Sequence, residues 1–427
     1  MIVITIVIML ILMLLGVPIA FSLAISGCIG LWLVGDWITV MGILSSVPYR
    51  TCASYVLTVI PMFILLAEVT SRSGLAKELF DLANKWIGHL PGGVGIATIM
   101  AAAGFAAMAG TSSASAAVFS RIAIPEMQRL GYKDHIAAGV VTVAGTLAIM
   151  IPPSLTLVLY GLLTETSIGK LLIAGIIPGL LTAFNFAVGI YLIAKFVPGA
   201  VKDVAPFSWK ERLTGLKGLL PLIALVIIIM GGLYSGIATP TEVASLGSLA
   251  AFVICFAMGR LKASQAAEAL KQTAIVAAMI FSIIIGAMIF GYFTTLTQVP
   301  QHLINAIAAA GISRWGVIAI LVVVYLILGC FFDQLAILLL TVPLTFPLIT
   351  SLGFNAIWFG IVFTKLTEMG LVTPPLGLNA YVVSGTSKIP LTTVFRGALM
   401  LLVFDVITLI LLLFIPSLST FLPSLMK

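Results

Sequence analysis

Apolar residues run along this chain in long unbroken stretches, and polar residues gather in short clusters between them. Stretches of about 20 apolar residues fit helices that cross a bilayer, where each backbone N–H and C=O must be paired within its own segment. The pattern predicts two helices within residues 2–35, divided at Gly16-Val17-Pro18, then a loop over 36–50 and a span over 55–70. Residues 74–90 differ in kind. Leu75, Leu79, Leu82, Trp86 and Leu90 fall on one helical face, with Lys77, Glu78, Asp81, Asn84 and Lys85 on the other. That period fits an interfacial helix along the membrane or a packed cytoplasmic connector.

Two regions hold apolar pieces too short for a plain span. Residues 94–108 run into a small, hydroxyl-rich patch, Gly110-Thr111-Ser112-Ser113-Ala114-Ser115, and a second piece ends at Arg121. Basic residues flank both ends (Lys85 on one side, Arg121, Arg129 and Lys133 on the other), which assigns both ends to the cytoplasm. Two short helices with their ends on one side make a re-entrant hairpin; small residues there also allow tight helix contact. Residues 316–329 repeat the pattern, reaching Cys330-Phe331-Phe332-Asp333-Gln334 before a piece that ends near Pro347. Span parity brings this second hairpin in from the outer side.

The remaining runs are spans. Residues 135–163 cross outward and 171–194 return, followed by a basic loop with Lys195, Lys202, Lys210, Arg212 and Lys217 and with Pro198 and Pro206. Residues 219–234 and 243–258 form a pair, 273–293 lead out, and 301–311 read as a second surface helix. Residues 358–383 cross inward and 392–415 leave. The organisation predicted is scaffold helices over 1–73, the interfacial helix over 74–90, a first repeat over 91–196, a loop with scaffold helices over 197–300, and a second repeat over 301–427.

Two of these spans carry a proline pair, Pro152-Pro153 and Pro374-Pro375. Proline has no N–H and clashes with the preceding turn, so the pairs strip partners from the carbonyls of Ala148 and Ile149, and of Gly370 and Leu371. Such a break persists only where it faces protein, water or an ion. Thr111 and Pro152 lie 41 positions apart, as do Asp333 and Pro374, which gives a common offset of 222. At that offset Pro125 falls on Pro347, Leu130-Gly131-Tyr132 on Leu352-Gly353-Phe354, and Thr142 on Thr364. Hairpin plus broken helix, repeated with inverted topology, points to a transporter whose site lies at the breaks.

Composition agrees. Hydrophobic residues make up 61% and charged residues 8% of 427, with mean hydropathy +1.26, so the fold class is an all-α polytopic membrane protein. The length allows about 11–12 transmembrane helices besides the two re-entrant hairpins. The net charge of +7 belongs to loops between apolar runs and does not indicate nucleic acid. Cys28, Cys52, Cys255 and Cys330 have no metal or redox spacing and read as free thiols. The apolar N-terminus lacks a basic leader and reads as a retained helix. No zinc-protease, nucleotide-loop or nucleophile-elbow motif is present, and His89, His135 and His302 sit outside the apolar centres. An enzyme is therefore not expected; an intramembrane dyad of Asp333 with Asp405 is the weak alternative, and a channel is disfavoured by the repeat.

The segments PMFILLAEVTSRSGLAKELFDLANKWIGHLPGG, AGTSSASAAVFSRIAIPEMQRLGY and GTLAIMIPPSLTLVLYGLLTETSIGKLLIAGIIPG resemble the large membrane subunit of TRAP (tripartite ATP-independent periplasmic) transporters. The similarity covers nearly the whole chain. It implies a sodium-coupled, elevator-type secondary transporter in the bacterial inner membrane, importing a dicarboxylate, sialic acid or similar carboxylate. It also implies two partners, a small four-helix membrane subunit and a periplasmic substrate-binding protein. The closest rival is a stand-alone sodium/dicarboxylate symporter of the related hairpin type. The second tip departs from the serine-rich first one, so the two need not do the same work.

Sodium, implied as coupling ion, is a hard cation that takes several oxygen ligands, and no organic cofactor is expected. The first candidate sodium site joins Gly110, Thr111, Ser112 and Ser113 to the break, with Gly145, Ala148 and Ile149. The second joins Phe332, Asp333 and Gln334 to Glu368, Met369, Gly370 and Thr373. New half-helices open after each break, and their N-termini suit a carboxylate. Candidate substrate contacts are Ser112, Ser115, Pro153, Ser154, Thr156, Asp333, Gln334, Lys365, Pro375 and Asn379. Lys365 either offsets an anionic substrate or pairs with Glu368 or Asp333; Asp405 and Glu68 read as contacts to a neighbouring helix or subunit.

Overall fold

A computed structural model describes residues 1–196 and 207–426, with the side chain of Lys217 also outside the described set. Lys202, Pro198 and Pro206 of the basic loop thus lie outside the described residues. Within them the chain is helical, without strands. In order the helices are α1 (Ile2–Leu14), α2 (Ile19–Val34), α3 (Trp37–Cys52), α4 (Val59–Arg72), α5 (Leu75–Ile87), α6 (Gly93–Ala109), α7 (Ser112–Arg129) and α8 (Asp134–Met150). Then come α9 (Leu155–Thr164), α10 (Ile168–Ala174), α11 (Ile176–Phe196), α12 (Trp209–Gly215), α13 (Leu220–Ser235), α14 (Pro240–Ala257), α15 (Ala263–Leu296) and α16 (Val299–Ala309). The last are α17 (Arg314–Phe331), α18 (Gln334–Ser351), α19 (Ala356–Gly370), α20 (Leu378–Ser387), α21 (Leu391–Phe414) and α22 (Ser417–Ser424).

Among the described residues seven helices are long and apolar enough to cross a membrane, or up to nine if two bent pairs each count as one span. The apolar helices α1, α2 and α6 are shorter than that, and α17 and α18 of the second hairpin are among the seven, so the count is lower than the number expected. Both hairpins are present, α6–α7 turning at residues 110–111 and α17–α18 at 332–333, and both broken helices follow them, α8–α9 and α19–α20. Both Pro-Pro bonds are cis. The first broken helix is the most enclosed of the described spans. It packs against α6, α7, α11 and α21, while α2, α3 and α4 pack on the long α15 as an outer wall, with α14 against α4.

Small residues set the closest approaches. A Cβ on Gly397 of α21 would lie 1.6 Å from the His135 carbonyl oxygen of α8, so the two helices cross almost backbone to backbone. In α5 the apolar face is buried through Leu75, Leu79 and Leu82, with Trp86 at its exposed margin and Leu90 beyond the helix end. Burial pushes the Asp81 carboxyl on its other face above the usual carboxylate range.

Four expectations need correction. Residues 36–50 are not a loop: the Asp36 side chain accepts from the Thr39 N–H (2.7 Å) and starts α3. The first outward span after the pair begins ten residues early, at Ala263. The return pieces of the two hairpins do not end at Arg121 and near Pro347; α7 and α18 run on to Arg129 and Ser351. Finally, a short α22 follows the last span, while α10 and α11 together make the expected return as one span, Ile168–Phe196.

Candidate functional site

Each hairpin tip is fastened to the break of its own half. The Leu155 N–H donates to the Gly110 carbonyl (3.4 Å), and the Leu376 N–H donates to the Cys330 carbonyl (3.2 Å). Gly110 has φ +63°, a left-handed turn that costs other residues strain, and a Cβ there would meet the Pro153 carbonyl oxygen at 3.2 Å. Pro153 therefore contributes by holding the first tip. Gly145 serves the same packing: a Cβ would come 2.7 Å from that of Ala116. Its counterpart contact is Gly370 against Gly329.

The two tips meet at a cavity of about 560 Å3. Thr111, Ser112 and Ser113 line it from the first tip, Asp333 and Gln334 from the second, and Leu371 and Asn379 from the second broken helix. The Asn379 side-chain amide donates to Ser112 Oγ and, at 3.4 Å, to the Thr142 carbonyl, tying the two halves together. The opposite wall was not foreseen. It comes from α4, with Ala67, Glu68 and Ser71, and from α15, with Val276, Met279 and Ile280. Glu68 accepts from Arg72 Nη2 at 2.9 Å. An acidic residue inside an apolar run was its signal, but one sequence cannot show which way α4 faces.

Other candidates lie behind the lining. Ser115 and Thr156 are fully buried, and their hydroxyls have no partner. Ser154 is used as a helix cap, accepting from the Leu157 N–H (3.2 Å). Ala148 and Ile149 end α8 in the core, and Pro375 is exposed. Phe332 is extended between α17 and α18, and the Thr373 hydroxyl donates to the Met369 carbonyl (2.7 Å). The start of α20 is also occupied, since the Asn379 N–H donates to the Leu371 carbonyl (3.0 Å).

Lys365, Glu368 and Asp405 form a separate buried cluster outside the cavity lining. Lys365 Nζ donates to Thr182 Oγ1 (3.1 Å), to Glu368 Oε1 (3.2 Å) and to Asp405 Oδ1. All three ammonium hydrogens are thereby used. Of the pairings expected for Lys365, the one with Glu368 is present, and Asp405 on α21 stands where Asp333 had been considered. Glu368 Oε1 also accepts from Thr146 (2.8 Å), 222 positions away, so equivalent points of the two repeats touch.

The family model described as "Tripartite ATP-independent periplasmic transporter, DctM component" matches residues 6–418. The chain belongs to this family. A C4-dicarboxylate TRAP transporter large permease protein, DctM, of Pseudomonas aeruginosa is 38% identical over 377 residues, covering 88% of each chain. A sialic acid TRAP transporter large permease protein, SiaM, of Vibrio cholerae is 32% identical over 373 residues, covering 87% of each. Among solved structures, the Alcanivorax borkumensis YdaH transporter superposes with TM-score 0.63 at 15% identity, over 89% of this chain and 90% of that one, a likeness of fold alone. This DctM-family chain is thus a multi-pass protein of the bacterial inner membrane and the large permease subunit of a TRAP transporter.

Proposed function

We propose that this permease moves an organic acid together with sodium through the cavity between its two hairpin tips. The observation that carries the reading is the cavity itself: both repeats supply one side and the α4–α15 wall the other. Such an arrangement suits an elevator, in which tips and broken helices shift against a fixed wall and open the cavity to one side at a time. The acid would arrive from a periplasmic binding protein, and a small membrane subunit would flank the wall helices.

Sodium fits the residues present. A hard cation needs several oxygens. Near the first tip Pro152 and Pro153 cannot bond the carbonyls of Ala148 and Ile149, and the buried hydroxyls of Ser115 and Thr156 have no protein partner. Together with Gly110, Thr111, Ser112 and Ser113 these would hold the first ion. Around the second tip Phe332, Asp333, Gln334, Gly370 and Thr373 would hold another; Glu368 is engaged by Lys365 and Thr146. Lys365 is likewise committed, so it positions helices rather than meeting the substrate.

The test is uptake of a labelled acid into proteoliposomes holding the permease with its small subunit, with and without binding protein, under an imposed sodium gradient. Uptake that requires both gradient and binding protein is expected. Uptake without a gradient would contradict the coupling. Uptake by this chain alone would favour the stand-alone symporter.

A further inference from the structure

A second cavity, of about 250 Å3, lies apart from the space between the tips. Helices α3 and α15 of the wall bound it on one side and α9, the outer half of the first broken helix, on the other. Helix α15 starts beside the cytoplasmic Arg260 and Lys262 and leads outward, and Tyr292 stands near its far end. The cavity therefore belongs to the outer half of the membrane. Tyr49 and Tyr55, 76% and 63% exposed beside it, fit the aromatic belt of that interface.

Its lining divides by chemistry. Val47, Leu57, Leu162, Leu163, Ile284 and Met288 are apolar. Arg50, Thr51, Ser54 and Tyr292 bring a guanidinium and three hydroxyls. Among the described residues none of these four side chains has a hydrogen bond or an ion pair. Thr51 is the sharpest case, being only 7% exposed. Thr70 and Thr142 turn their hydroxyls back to the carbonyl four residues earlier, at 2.8 and 2.7 Å, and Thr51 does not. Likewise Arg72 and Arg260 each reach a glutamate, whereas Arg50 reaches none. No carboxylate of the described residues lines this cavity.

An enclosed hydroxyl and an unpaired arginine at the edge of hydrocarbon are costly unless a ligand supplies acceptor oxygens. A phosphodiester supplies them, with two oxygens that match the guanidinium fork. The apolar side chains next to these donors suit the hydrocarbon that follows in the same molecule. We propose that this cavity is a site for an anionic phospholipid of the outer leaflet. Its phosphate meets Arg50, Thr51, Ser54 and Tyr292, and the start of one acyl chain lies against α9 and α15. A zwitterionic lipid would bring its ammonium group to a lining that holds an arginine and no carboxylate. Bound there, the anionic lipid joins the wall to the first broken helix.

The test is native mass spectrometry with thermal unfolding of the purified full chain, stripped of lipid in detergent and titrated with phosphatidylglycerol, phosphatidylcholine or inorganic phosphate. Phosphatidylglycerol is expected to stay bound and to raise the unfolding temperature, and the other two are not. Arg50→Gln should weaken the apparent affinity for phosphatidylglycerol by about tenfold or more. Arg314→Gln, which removes an arginine outside the cavity, should leave it unchanged. If Arg50→Gln does not fold, Met288→Trp serves: it fills the apolar side, keeps the arginine, and should lose the response. An equal response to phosphatidylcholine would overturn the preference for an anionic lipid, and a response to inorganic phosphate would make the site one for a free anion. An unchanged titration in the cavity variant, or a loss in Arg314→Gln as large as in Arg50→Gln, would overturn the site itself.

Discussion

At the scale of residues, the site depends on a few oxygens and one buried ion cluster. Ser112 and Asp333 line the cavity from opposite tips, and each supplies an oxygen for which alanine has no substitute. Ser112→Ala and Asp333→Ala should each reduce sodium-driven uptake by about tenfold or more, the equivalent of roughly 1.4 kcal/mol. Uptake equal to the unmodified protein in both would contradict the assignment. The Lys365 cluster predicts a different response. Removing the Asp405 carboxylate leaves a buried ammonium short of a partner, so Asp405→Ala should cost about 3–5 kcal/mol of stability. Thermal unfolding in detergent measures it, and an unchanged transition would refute the role. The charged residues of this cluster were visible in the sequence as rare charges within apolar runs. Their pairing was not, because Asp405 is brought to Lys365 by the crossing of α21 and α19 rather than by nearness in the chain.

At the scale of elements, the hairpins and broken helices could be read directly, since proline pairs and short apolar pieces at a fixed offset leave few other folds. The α3 helix could not. Its apolar period is interrupted by Ser45, Ser46 and Pro48, and the helix starts from the Asp36 cap. The return pieces of the hairpins end, on apolarity alone, at Arg121 and near Pro347, yet neighbouring helices enclose α7 and α18 and the helices run on through Pro125 and Pro347. The contact between α8 and α21 gives the sharpest test of element packing. Gly397→Val would drive its side chain into the His135 carbonyl, and with Gly139 opposite there is no flexible side chain to yield. A loss of about 3 kcal/mol or more is expected in unfolding measurements; a variant of normal stability would show that the helices do not meet there.

For the whole molecule, the sequence anticipated the side formed by the two repeats and left out the α4–α15 wall. Repeat arithmetic relates the tips and the breaks to one another, but it carries nothing about helices outside the repeat. Glu68, Ser71 and Met279 reach the cavity only through the packing of α4 and α15. Orientation in the membrane follows from charge. A membrane-impermeant thiol reagent should reach Lys133→Cys from the cytoplasm and Thr166→Cys from outside, in protein whose native Cys28, Cys52, Cys255 and Cys330 are replaced. The reverse pattern would invert the topology and with it the roles of the two tips.

The central claim is that the space between the tips is an ion-dependent, alternately opened transport site. It is tested most directly at Ser113, which lines that space from the first tip. In the same cysteine-free background, Ser113→Cys should be labelled by an impermeant maleimide from one side of the membrane in a given state, and sodium should change the rate several-fold. Labelling that ignores sodium, or a thiol unreachable from either side, would contradict the account.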